Sequence, residues 1–211
     1  MKRILFLGAA LLALSGAAAT QAPAQNEAGP RLNYRAMRQL GFRLSCQAWT
    51  FRELTAYDTI DLVHKLGIRY IEFFPGQALS KDHPGAKLDE NMSPELLNEL
   101  KAKLQAANLK AVNYGVVGLP GNEAGARKVF DFAKALGLET IVSEPAEADV
   151  PMLDKLAQEY GINIAIHDHP NPSHYWNPDT VLKVAEAAPS GSGPARTQAT
   201  GTAPAWCRWS A

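Results

Sequence analysis

The sequence predicts an α/β fold, a partial (β/α)₈ barrel in which parallel strands alternate with helices, on three observations. The first is a repeat. Four segments share one grammar, a helical pattern closed by Gly or Asn and then a β-branched strand: KLGIRYIEF from Lys65, AANLKAVNY from Ala106, ALGLETIVSE from Ala135 and EYGINIAIH from Glu159. The second is the composition of the strands: Thr140-Ile141-Val142 and Ile162 to Ile166 are apolar with little alternation, as strands covered on both faces of a parallel sheet are. The third is where the polar residues fall. Gln47, Glu72, Asn113 with Tyr114, Glu144, and His167 with His169 all stand near expected strand ends, and in a (β/α)₈ barrel the C-terminal strand ends converge on one site.

Taken in order, the chain opens on an address. Lys2 and Arg3 precede an apolar run from Ile4 to Leu14, followed by small residues with A-x-A options, the layout of a signal peptide over residues 1–24. That places the protein in the periplasm or outside the cell, with no membrane partner once the signal is removed. Residues 25–40, rich in Ala, Gln, Asn and Pro, read as an unstructured linker. The barrel segment then runs over 41–189. Strands are expected near 43 to 48, 69 to 74, 109 to 114, 139 to 143 and 162 to 167. Gly67, Asn108, Gly137 and Gly161 occupy equivalent positions before the later strands, where a left-handed residue closes a helix. Ser93-Pro94-Glu95 is an N-cap with Pro at the first helical position, ahead of Leu96, Leu97, Leu100 and Leu104 at helical spacing. Asn177-Pro178-Asp179 repeats that start signal, and Val129, Phe130, Ala133 and Leu136 form another stripe.

Composition narrows the function. The 211 residues are 46% hydrophobic and 20% charged, with Lys+Arg 21 against Asp+Glu 21, so there is no electrostatic footprint for nucleic acid. Cys46 and Cys207 support neither a disulfide framework nor a thiolate metal site. The first strand runs into Cys46-Gln47-Ala48-Trp49-Thr50 without a Gly, which argues against a dinucleotide-binding turn.

The stretches GFRLSCQAWTF, LGIRYIEFFPG, ANLKAVNYGVV, LGLETIVSEP and INIAIHDHPNPSHYWNPDTVL resemble the first five βα units of the xylose isomerase-like TIM barrels, the sugar phosphate isomerase/epimerase family. The resemblance covers about residues 41 to 188. It implies an isomerase that moves a proton between adjacent carbons of a sugar or polyol, with a divalent metal (Mn, Mg, Co or Zn) stabilising the charge that develops. In that family the metal is held by a Glu ending strand four, an Asp in a D-T-G-H motif ending strand six, a His after strand seven and a Glu on strand eight. Only the first maps here, onto Glu144, which would serve as metal ligand and catalytic carboxylate. His167 and His169 map onto substrate-binding positions, with Glu72 a weaker inner-barrel candidate.

Each assignment has a plainer competitor. Glu144 also suits a capping carboxylate ahead of the acidic stretch Glu147 to Asp149. Of His167 and His169, at most one is expected to face the centre, His167 by preference, with His169 a loop histidine. His174, Tyr175 and Trp176 read as an aromatic packing cluster, and His64 and His83 as solvated surface residues. After Pro189 the pattern stops, and residues 190–211 read as an aberrant, unstructured tail where a sixth strand should begin. Synonymous codons for Gly193 to Gly201, read out of phase, spell G-A-C-A-D-T-G-H-W. That string contains the missing strand-six motif and points to a shifted frame. The expectation is therefore a chain truncated after about five of eight units, lacking most metal ligands and inactive. The alternatives are a nonfunctional fragment, an endonuclease-like barrel and a carbohydrate-binding barrel protein.

Overall fold

The computed structural model describes residues 32–187 and 197–199; the signal peptide expected over 1–24 lies outside them. Within this range the expected βα grammar is present. Helix α2 (Ala56–Lys65), strand β2 (Tyr70–Phe73), α3 (Pro94–Ala106), β5 (Lys110–Tyr114), α4 (Glu123–Leu136), β6 (Thr140–Ser143), α5 (Val150–Tyr160) and β7 (Asn163–Ile166) follow β1 (Ser45–Gln47). All four expected helix stops adopt positive φ: Gly67 at 73°, Asn108 at 52°, Gly137 at 74° and Gly161 at 66°. Helix starts are capped as read, with Ser93 Oγ accepting from the Leu96 amide at 3.3 Å. Thr55 and Asn122 cap α2 and α4 in the same way.

The strands form one parallel sheet in the order β1-β2-β5-β6-β7-β8, where β8 is Thr197–Ala199. A small antiparallel hairpin, β3 (Gln77–Ala78) with β4 (Lys87–Leu88), is inserted between β2 and α3. All four residues of β6 are buried, as are three of four in β7, so the sheet is covered on both faces. Its helix-side core holds Val129, Phe130, Ala133 and Leu136 of the predicted stripe against Ile71, Phe73 and Ile141. A second cluster of Val150, Ile166, Tyr175, Val181 and Val184 seats α6 (Pro178–Ala187).

Two expectations are corrected. Residues 25–40 are not all linker: Tyr34–Gln39 form helix α1, capped by Asn33 Oδ1 on the Ala36 amide at 2.9 Å. Tyr34 docks it, donating its hydroxyl to the Gly67 carbonyl and lying under the Arg69 guanidinium. A polar, Ala-containing stretch hides such a helix because its anchors are a phenol and a cation, not an apolar stripe. Nor is all of 190–211 unstructured, since Thr197–Ala199 pair in parallel with Ile164 to Ile166. Strand pairing is made by backbone groups, so an open edge beside β7 can be occupied by residues with little strand propensity.

Where the strands enter the sheet, one ionic cluster ties three of them. Arg43, ahead of β1, grips Glu139, ahead of β6, with two hydrogen bonds at 2.9 and 2.5 Å. Lys110 of β5 adds a third at 2.6 Å. The Arg43 guanidinium first, and Lys110 after it, hold the Glu139 carboxyl at about 2, against the ordinary 4.5. A depressed carboxyl stabilises the fold above its unfolded pKa, and that contribution is lost as pH falls from about 4.5 towards 2. Because the pair is part-exposed, Glu139→Gln should cost about 1–2 kcal/mol at neutral pH. Urea unfolding across pH should show the difference shrinking to nothing in strong acid, and a pH-independent difference would remove the ionic explanation.

Candidate functional site

β1 and β7 are four strand positions apart, about 19 Å in a flat sheet at ~4.8 Å per strand. Gln47, the last residue of β1, and His167, just past β7, nevertheless line a single cavity of about 470 Å³. The sheet is therefore curved, and its C-terminal strand ends converge. The cavity is completed by Trp49, Thr50, Glu72, Phe74, Pro75, Gly115, Val116 and His169. Trp49, half exposed at the rim, meets Phe74 edge-on with ring centroids 4.9 Å apart.

Glu72, in β2, occupies the wall with its carboxylate accepting from Asn113 Nδ2 at 2.9 Å. Burial pushes its carboxyl up, partly offset by the hydrogen bonds from Asn113 and Gln47. Gln47 is fixed in turn, donating Nε2 to the Gly115 carbonyl at 3.2 Å and accepting the Trp49 amide at 2.5 Å. Asn113 is 3% exposed, and its Oδ1 has no hydrogen-bond partner. Tyr114, the other polar residue predicted at this strand end, faces the opposite way. It packs against Phe132 of α4 and donates to Glu90 at 3.2 Å.

Both histidines line the cavity, which corrects the expectation that only one would. Residues two apart in extended backbone share a face, and just past the end of β7 at Ile166 the two rings meet edge-on at 4.6 Å. His167 is half-buried; desolvation and then the neighbouring His169 lower its pKa, favouring the neutral ring. His169 Nδ1 pairs with Glu144 Oε1. Ser173 Oγ donates to the other carboxylate oxygen of Glu144 at 2.9 Å.

Glu144 itself lines a neighbouring cavity of about 600 Å³ with Pro145, Glu147, His174 and Tyr175. There His174 Nε2 meets Glu147 at 2.7 Å, and the Tyr175 hydroxyl donates to the Pro145 carbonyl at 2.6 Å. Tyr175 is thus the packing residue expected, while Trp176 is 52% exposed. His64 and His83 are bonded rather than merely solvated, to the Ala107 carbonyl and to Glu99, both at 2.7 Å. A third cavity, about 570 Å³, lies at the N-terminal strand ends among Arg69, Lys101 and Lys110; it is solvent-open and is lined by no carboxylate or imidazole. Among the described residues no three His, Cys, Asp or Glu side chains are grouped to hold a metal ion. None of their helices is long and apolar enough to cross a membrane.

Solved structures share this architecture. An uncharacterized protein from Parabacteroides distasonis aligns at 27% identity and TM-score 0.62, over 69% of this chain and 59% of that one. A xylose isomerase domain containing protein from Salmonella typhimurium aligns at 16% identity and TM-score 0.50, over 70% and 58%. A D-psicose 3-epimerase solved with D-fructose aligns at 12% identity and TM-score 0.55, over 75% and 63%. The chain thus spans about six-tenths of the length of these neighbours, and the likeness bears out the partial (β/α)₈ barrel. No protein-family profile matches the chain, and a search of curated proteins finds no significant match.

One backbone position controls the cavity. A Cβ on Gly115 would lie 2.3 Å from the Val142 carbonyl oxygen and 2.5 Å from Val142 Cβ, so β5 and β6 approach here only without a side chain. Gly115→Ala should cost roughly 1–3 kcal/mol by overpacking and shift the loop that Gln47 holds. A thermal melt within error of the unaltered protein would show that the two strands have slack.

Proposed function

We propose that this chain is a sugar isomerase/epimerase-like barrel protein whose described residues form the sugar-handling part of the site, acting on a small sugar or polyol. One observation carries the reading: a carboxyl, two imidazoles, an amide and an exposed indole line one cavity at the C-terminal ends of parallel strands. A barrel enzyme assembles its chemistry at that end. A carboxyl whose pKa burial raises, beside an imidazole whose pKa desolvation lowers, suits proton transfer between adjacent carbons of a hydroxy-carbonyl compound. An indole face beside polar groups suits the apolar face of a sugar ring. The names of the structural neighbours, a xylose isomerase domain protein and a D-psicose 3-epimerase, support the same class.

The divalent metal implied by the resemblance is a separate matter. The donor set here does not fit one by itself: Glu144 is the single mapped ligand, and its two oxygens are taken by His169 and Ser173. We assign the described residues to sugar binding and positioning, and expect no metal-stimulated turnover from the chain alone. A carbohydrate-binding role without chemistry is the second reading, favoured by that same incomplete donor set. Export, read from residues 1–24, remains part of the proposal and makes an unphosphorylated sugar the expected ligand.

Calorimetric titration of the full chain with D-fructose tests the reading. Saturable binding is expected, weakened about tenfold in His167→Asn, the size of one lost hydrogen-bonding partner. Absence of binding, or binding indifferent to that variant, would overturn the site assignment. Isomerisation stimulated by Mn²⁺, Mg²⁺, Co²⁺ or Zn²⁺ would show that a complete ligand set exists after all.

A further inference from the structure

The cavity is unusual in what it lacks. Among the described residues its lining contains no Lys or Arg. Arg52 stacks 5.6 Å above the Trp49 ring at the rim and lies 3.6 Å from Glu53. A phosphoryl group placed here would meet a carboxyl and two imidazoles with no fixed cation to balance it, a costly arrangement in a partly desolvated site. The groups facing Glu72 from the strands on either side are the uncharged amides of Gln47 on β1 and Asn113 on β5. The titratable groups sharing its cavity are His167 and His169.

We propose that Glu72 is the hydrogen-bond donor of this site, presenting a protonated carboxyl to a carbonyl or hydroxyl oxygen of an uncharged sugar. The proposal rests on the sugar reading above and adds the charge state of both partners. Two observations carry it. Glu72 is faced by the uncharged amides of Asn113, at 2.9 Å, and Gln47, and no Lys or Arg among the described residues lines its cavity. An ionised carboxylate would stand here without a counter-charge, whereas the neutral acid needs none and has an O–H to give to a ligand oxygen. Burial acts in the same direction, since it favours the neutral acid. No bond to carbon is made or broken in this step: the proton is shared between Glu72 and the sugar oxygen and stays with the carboxyl when the sugar leaves.

The sign of the pH dependence follows. A carboxyl whose folded pKa is raised is a donor below that value and an acceptor above it, so sugar affinity should fall as pH rises. Titration of the full chain with D-fructose from mildly acidic to alkaline pH should show a loss of about tenfold or more, the cost of replacing a matched donor by a repelling carboxylate. Glu72→Gln, whose amide keeps a donor without titrating, should bind with a nearly flat profile, and Glu72→Ala should bind about tenfold more weakly at acidic pH. D-fructose 6-phosphate should bind more weakly than D-fructose throughout. Affinity that is pH-independent in the unaltered chain, an unchanged profile in Glu72→Gln, or preference for the phosphate ester overturns this role while leaving the sugar reading standing. No sugar binding at any pH overturns both.

Discussion

Curvature of a short parallel sheet is the constraint on which the rest of this molecule depends. In a flat sheet the residues at the ends of β1 and β7 would be too far apart to share a ligand. Here they line one cavity. Curvature in turn needs close strand approach, and Gly115 permits it where β5 meets β6: a single methyl group would collide with Val142. At the opposite strand ends the Arg43–Glu139–Lys110 cluster links the entries of β1, β5 and β6. One end is pinned by charge, leaving the other free to be lined by function.

That division of labour is visible in the charges themselves. Arg69, Lys101 and Lys110 surround the N-terminal strand ends, whereas the C-terminal cavity is lined by amides, imidazoles, one carboxyl and aromatic carbon. A net charge of +0 conceals this polarity completely, because pairing at one end cancels in the sum. The consequence for recognition is physical. In the sugar reading proposed above, a neutral polyol would lose water-facing hydrogen bonds on entering such a cavity and regain them from Glu72 and the histidines, whereas an anion would regain too little.

Much of the fold was legible because it is governed locally. Left-handed residues at 67, 108, 137 and 161 end helices whatever surrounds them, so the repeat could be read and the strand bounds fell within about two residues of expectation. What escaped is governed by distant partners. Helix α1 is fixed by Tyr34 reaching Gly67, thirty-three residues away; β8 forms because an edge lies next to it. Hairpin β3–β4 is only two residues per strand, too short for periodicity to register. At the site, the strand-end positions of Glu72 and His167 were legible, while the place of His169 on the cavity wall and Gln47's role as a brace between Trp49 and Gly115 were not.

The segment after β7 shows why two histidines were harder to place than one. Alternation by itself puts residues two apart on one face, but the strand ends at Ile166 and side-chain contacts take over. Glu144 draws in His169 and Ser173, Glu147 takes His174, and the Pro145 carbonyl holds Tyr175. Four contacts thus fasten residues 169 to 175 onto the turn that follows β6. Glu144 works here as an anchor, close to the capping role its sequence neighbourhood first suggested, yet the group it anchors is an imidazole on the wall of the cavity. The carboxylate and the site are therefore coupled through His169, across a separation of twenty-five residues. That ring, beyond the end of β7, is held by the βα turn that follows β6.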